Sequence, residues 1–173
     1  MAILPIIRFP HACLQHAADP VDATSPQTAQ LARNLLETMH AAPGIGITAC
    51  HVGTPLRLVV IDLPGGTGPQ TYANPEIIWQ DTETATTEEG SVSMPGIHAP
   101  VQRPTRVRVR FTGLDGVTKE EEAAGLLAVC LQHEIDQING IFWTRRLSPL
   151  RRERAMKRYS RQARLNEAGS GMV

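Results

Sequence analysis

With 173 residues, 42% hydrophobic and 20% charged side chains, the chain has the make-up of one soluble globular domain, long enough to bury roughly 70% of its unfolded surface. No apolar run approaches the ~20 residues of a membrane span, and Met1–Pro5 lacks the basic stretch and apolar core of a secretory signal, so a cytoplasmic location is expected. Net charge is zero, but nine Lys/Arg from Arg145 onward face only Glu153 and Glu167, leaving the preceding residues acidic; a basic tail can meet nucleic acid, and a solvated basic helix is the simpler reading.

Cys13, Cys50 and Cys130 are odd in number and widely spaced, which fits reduced thiols in a reducing compartment. No internal repeat is present. Ser25-Pro26 supplies an N-cap and a first-turn proline, and Leu31, Leu35, Leu36 and Met39 recur at helical spacing, so a helix should run to just before Pro43-Gly44. After a glycine-rich stretch, Leu56–Leu63 reads as a buried strand ending at Pro64-Gly65-Gly66, with further short strands at Ile77–Trp79 and Thr84–Thr87. In Thr105–Thr112, Val107, Val109 and Phe111 alternate with Arg106, Arg108 and Arg110, the period of a half-buried strand. Gly113–Gly116 then turns the chain into Val117–Ala123, completing a hairpin.

Gly125–Asn139 is apolar nearly all round and predicts a central, buried helix. Ser148-Pro149 opens a basic helix to about Leu165, and residues 169–173 read as a flexible tail. Strands without crossover helices, with three helices, predict an α+β domain spanning residues 1–168.

The buried helix carries His133-Glu134-Ile135-Asp136-Gln137. A His-Glu-x-x-His run would place two imidazoles on one helix face, where both reach one ion; here the second His is Gln137, and a bare His-Glu pair decides nothing. Two further segments add to it: Gly44-Ile45-Gly46-Ile47-Thr48-Ala49-Cys50-His51 and Glu89-Gly90-Ser91-Val92-Ser93. Together with Gln132–Gln137 they resemble, in order, the three motifs of the peptide deformylases. The flanking Asn74-Pro75-Glu76, Pro95-Gly96 and Gly125–Ala128 also resemble that family, and the likeness runs from about Ile3 to Arg158.

The resemblance implies antiparallel sheets packed around the motif-bearing helix, and hydrolytic removal of the formyl group from N-formylmethionyl peptides. In the family one Cys and two His hold a ferrous ion, replaceable by nickel or zinc. By motif, those positions are Ser91, His133 and Gln137, so only His133 remains a proper ligand. Glu134, the proton carrier, is kept. His51 stands where the family has the Gln that helps hold the oxyanion, and the backbone N–H of Val92 is the other oxyanion donor. A hydroxyl and a carboxamide bind transition ions poorly beside a thiolate and an imidazole, so no metal, or a weakly held divalent ion, is expected, and hydrolysis should be lost or strongly reduced. Two rearranged centres are the alternatives: a metal site of His51, His133 and Glu134, or a Ser91–His133 nucleophilic pair.

The resemblance also places Ile45, Gly46, Leu126, Val129 and Cys130 in the pocket for the methionine side chain, and Arg103 near the peptide path. Expected partners are therefore an N-terminal formyl-Met peptide and, through the basic C-terminal helix, the ribosome. A non-catalytic N-terminal-peptide or ribosome-binding protein is the reading from a different class.

Overall fold

The structure is a computed structural model and describes residues 2–170. Helix α1 (Pro26–Ala41) begins as its sequence predicts: Ser25 Oγ accepts the Thr28 N–H at 3.1 Å, and Pro26 takes a position that needs no amide donor. Strands β1 (Gly46–Thr48), β2 (Leu58–Ile61), β3 (Gln70–Gln80), β6 (Arg106–Thr112) and β7 (Thr118–Ala124) form an antiparallel sheet in the order β1-β2-β3-β6-β7. Between β3 and β6 in the chain, β4 (Thr84–Ser91) and β5 (Met94–Pro104) pair as a separate two-stranded sheet. Helix α2 (Gly125–Ile138) follows β7, and α3 (Pro149–Ser170) closes the fold.

Two strands exceed their expected length, β3 taking in Gln70–Gln80 and β4 reaching Ser91. The whole of β5 went unforeseen, because Pro95, Pro100 and Pro104 punctuate it. Those prolines are tolerated because β5 pairs only with β4 and leaves its other edge free of a sheet partner. Helix α3 runs past the expected Leu165 to Ser170, so the expected tail begins inside a helix; residues 171–173 lie outside the described residues.

Helix α2 touches β1, β2, β3, β5, β6 and β7. Its Ala128, Leu131 and Ile135 pack with Val59, Val107 and Val109 of the larger sheet, each buried Val, Leu or Ile side chain contributing about 1.5–3 kcal/mol. Helix α1 sets Leu35 and Met39 against Ile47, Leu58 and Val60. A third cluster joins Met94, Ile97 and Val101 of β5 to Phe142, Trp143 and Ala155. The result is an α+β fold with antiparallel sheets around one buried helix. Among the described residues no helix is long and apolar enough to cross a membrane.

Candidate active site

Helix α2 turns one stripe toward a cavity. Leu126, Val129, Cys130, His133 and Glu134, spaced three and four apart, line this cavity of about 580 Å3. Ile45 and Gly46 come from the entry to β1, and His51 from the short 3-10 helix Ala49–Val52 that follows it. Ser91 and Val92 come from the end of β4. Three segments far apart in sequence thus meet at one cavity.

Glu134 is buried, and its Oε2 has no hydrogen-bond partner among the described residues. Burial pushes its carboxyl up to about 7, against the opposing pull of His133 and Arg103. A carboxyl with that pKa exchanges its proton near neutrality, as a general acid or base must. His133 Nδ1 lies 2.9 Å from Glu89 Oε2. Burial alone would push His133 down, but the hydrogen bond to Glu89 and the charges of Glu134 and Glu89 outweigh it and raise its pKa.

His51 behaves differently. Burial, then the neighbouring His133, lowers its pKa to about 3, so the ring is neutral. Its Nδ1 receives the backbone N–H of Thr48 at 3.0 Å. A backbone N–H can only donate, so Nδ1 is the unprotonated nitrogen and Nε2 carries the hydrogen. That Nε2–H points to Ser91 Oγ at 3.4 Å, and the Ser93 N–H reaches the same oxygen at 3.2 Å. His51 is therefore a neutral donor facing the cavity, the role a carboxamide N–H would fill.

This geometry corrects three expectations. A metal site of His51, His133 and Glu134 would need a bare Nε2 on His51, which the Thr48 amide opposes; among the described residues no group of three or more His, Cys, Asp or Glu is arranged to hold an ion. Ser91 Oγ bonds to His51 and Ser93 instead of His133, so the Ser91–His133 pair is not formed. Arg103, expected beside the peptide path, is buried and does not line the cavity: it donates to both Glu89 oxygens at 2.6 and 2.9 Å and to Asp136 Oδ2 at 2.8 Å. The cation at the cavity mouth is Arg8, whose Nη1 donates to the Val92 carbonyl at 2.6 Å.

The sequence reading gave no role to Glu89, Thr48 or Arg8. Glu89 opens the second motif and Thr48 sits inside the first, so both lay in view. Arg8 lies outside every motif and carried no signal.

A family model described as polypeptide deformylase matches residues 3–153. The chain belongs to the polypeptide deformylase family. It is 58% identical to a "Peptide deformylase-like" protein of Rhizobium meliloti (strain 1021), over 93% of this chain and 94% of that one. It is 43% identical to a "Peptide deformylase" of Bradyrhizobium sp. (strain ORS 278), over 95% and 98%. The crystal structure of a peptide deformylase from Legionella pneumophila superposes with a TM-score of 0.88 at 36% identity, covering 95% of this chain and 98% of that one. A deformylase structure from Synechococcus elongatus, in complex with actinonin, gives 0.86 at 32% identity over 91% and 88%.

Deformylases are metal-dependent, so the donors here can be tested against a divalent ion. Ser91 offers a neutral hydroxyl already accepting the Ser93 N–H. Gln137 is not among the described residues lining the cavity; its Nε2 donates to the Leu14 carbonyl at 3.0 Å, 123 residues away in sequence. Only His133 keeps a ring nitrogen opposite Glu89 for a ligand. This donor set does not fit the family's ion.

Proposed function

We propose that this deformylase-family chain binds the N-terminal residue of formyl-methionyl peptides in the α2 cavity, and that its hydrolysis of the formyl group is lost or strongly reduced. The observation that carries this reading is the placement of Gln137. Its Nε2 donates to the Leu14 carbonyl and its side chain is not among the described residues lining the cavity, so the third of the three ligand positions is tied to the scaffold. Changes that merely surround a metal ligand cost 10–100-fold in affinity or activity; replacing two ligands costs more. The binding half of the reading rests on the walls. Ile45, Leu126, Val129 and Cys130 still form an apolar lining that suits a thioether. His51 Nε2–H still offers a neutral donor beside Ser91.

Elemental analysis and a deformylation assay on a short formyl-Met peptide test it together. Protein loaded anaerobically with ferrous, nickel or zinc ion and then desalted is expected to retain well under one equivalent. Turnover is expected to fall at least about 1,000-fold below that of an intact deformylase assayed beside it, two ligand losses at the upper cost compounding with the loss of the anionic thiolate. Calorimetry should still detect the peptide. One retained equivalent with turnover matching the intact enzyme would refute the reading.

A further inference from the structure

A second cleft of about 580 Å3 opens beside the cavity, and the two share Glu88 and His98 as lining residues. Its far wall is α3, with Arg151, Arg154, Lys157 and Arg158. Two of these guanidinium groups are anchored to the backbone of β5: Arg158 Nη2 donates to the His98 carbonyl at 2.8 Å, and Arg151 Nη1 reaches the Pro100 carbonyl at 3.5 Å. Lys157 pairs with Glu153 at 2.7 Å. Among the described residues Arg151, Arg154 and Arg158 have no carboxylate partner within salt-bridge distance, and Glu88 is the one acid in the lining. A cationic surplus therefore stands at the exit of the N-terminal-residue cavity.

We infer that this cleft receives the acidic downstream part of a peptide whose first residue occupies the α2 cavity, so that the chain prefers N-terminal sequences carrying Asp or Glu a few residues in. The inference rests on the cavity being an N-terminal-peptide site. The course of strand β4 sets the spacing. Ser91, in the cavity, pairs with Met94, and Glu88, at the shared border, pairs with Pro100. From Ser91 back to Glu88 is three strand steps, about 10 Å, the reach of about three extended residues. An acidic group at the fourth to sixth residue then meets Arg151, Arg154 and Arg158. Coulomb attraction at an exposed site is modest and screened by salt, which gives it a signature.

The test uses the full chain and four fluorescent probes. These are formyl-Met followed by alanines, formyl-Met with glutamates at positions four to six, the acidic peptide beginning with acetyl-Gly, and a single-stranded RNA oligonucleotide. The acidic formyl-Met peptide is expected to bind at least about fivefold tighter than the neutral one at low ionic strength, with the advantage shrinking as salt rises. In the Arg154→Glu/Lys157→Glu variant that advantage should disappear while the neutral peptide binds as before, which also reports an intact fold. Equal affinity for neutral and acidic formyl-Met peptides would overturn the inference and leave the cavity reading standing. Failure of both to bind would overturn both. Undiminished binding of the acetyl-Gly peptide, or displacement of the acidic peptide by RNA at lower concentration, would show an independent polyanion site and overturn the continuity argued here.

Discussion

Gly46 and Glu134 constrain each other. A Cβ built on Gly46 would stand 2.6 Å from Glu134 Oε1 and 3.2 Å from its Cδ, far inside contact distance. The carboxylate is the far end of a flexible side chain, so the backbone need not move and the carboxyl will. Gly46→Ala should therefore cost only about 1 kcal/mol, the low end for overpacking, yet displace Glu134 in a crystal structure of the variant. An unmoved Glu134 would mean the strand yields instead. The ligand positions allow a sharper test. Ser91→Cys with Gln137→His returns a thiolate and an imidazole, so the double variant should take up about one equivalent of zinc or ferrous ion by elemental analysis where the parent takes little. Gln137 gives up its bond to the Leu14 carbonyl, at a cost of about 1 kcal/mol, so a modest fall in Tm should accompany the uptake. A folded double variant that still refuses metal would show that the ligand changes are not what was lost.

At the scale of the elements, β4, β5 and α2 are tied together behind the cavity by one buried cation. Arg103 holds Glu89 of β4 and Asp136 of α2, Arg146 closes on Asp136 from the other side, and Glu89 in turn fixes His133. Hydrogen bonds from His133 and Arg103 overcome the penalty of burial and hold Glu89 at about 2. Removing one member leaves buried charge unpaired, so Arg103→Ala should cost about 3–5 kcal/mol in denaturant unfolding. Arg108→Ala, which breaks the exposed pair with Glu122, should cost less than about 1 kcal/mol. Similar losses for the two would remove the distinction between buried network and solvated ladder. The role of Arg103 was within reach of the sequence. Ile97, Ala99, Val101 and Arg103 alternate as the buried face of β5, but Pro100 among them, with Pro95 and Pro104 on either side, reads as loop. Helix α2, with its long apolar run, and strand β6, with its clean alternation, were legible because nothing interrupts them. The ring orientation of His51 was not legible, since it depends on a Thr48 amide whose direction only the fold sets.

For the molecule as a whole, the basic C-terminal helix is a structural wall as well as a charged surface. Its charge pattern suggested a solvated helix, yet Ala155 is fully buried, and Met156 and Tyr159 pack against the cluster of Met94, Phe142 and Trp143. Tyr159 donates its hydroxyl to the Phe9 carbonyl at 3.0 Å, which pins the N-terminal segment carrying Ile6 and Arg8 to the cavity rim. Gln162 Nε2 donates to the Pro95 carbonyl at 3.3 Å, and Arg158 to that of His98, so α3 also steadies the β5 turn that lines the same rim. Shortened chains separate these roles. A chain ending at Leu165 keeps every one of those contacts and should match the full chain in Tm and in affinity for a formyl-Met peptide. A chain ending at Leu147 uncovers Phe142 and Trp143 and releases both sides of the rim. It should bind a hydrophobic dye strongly, lose its cooperative thermal transition and bind no peptide. If the Leu147 chain instead melted cooperatively and bound peptide as well as the full chain, α3 would be an appendage, and the cavity would owe its shape to β4, β5 and α2 alone.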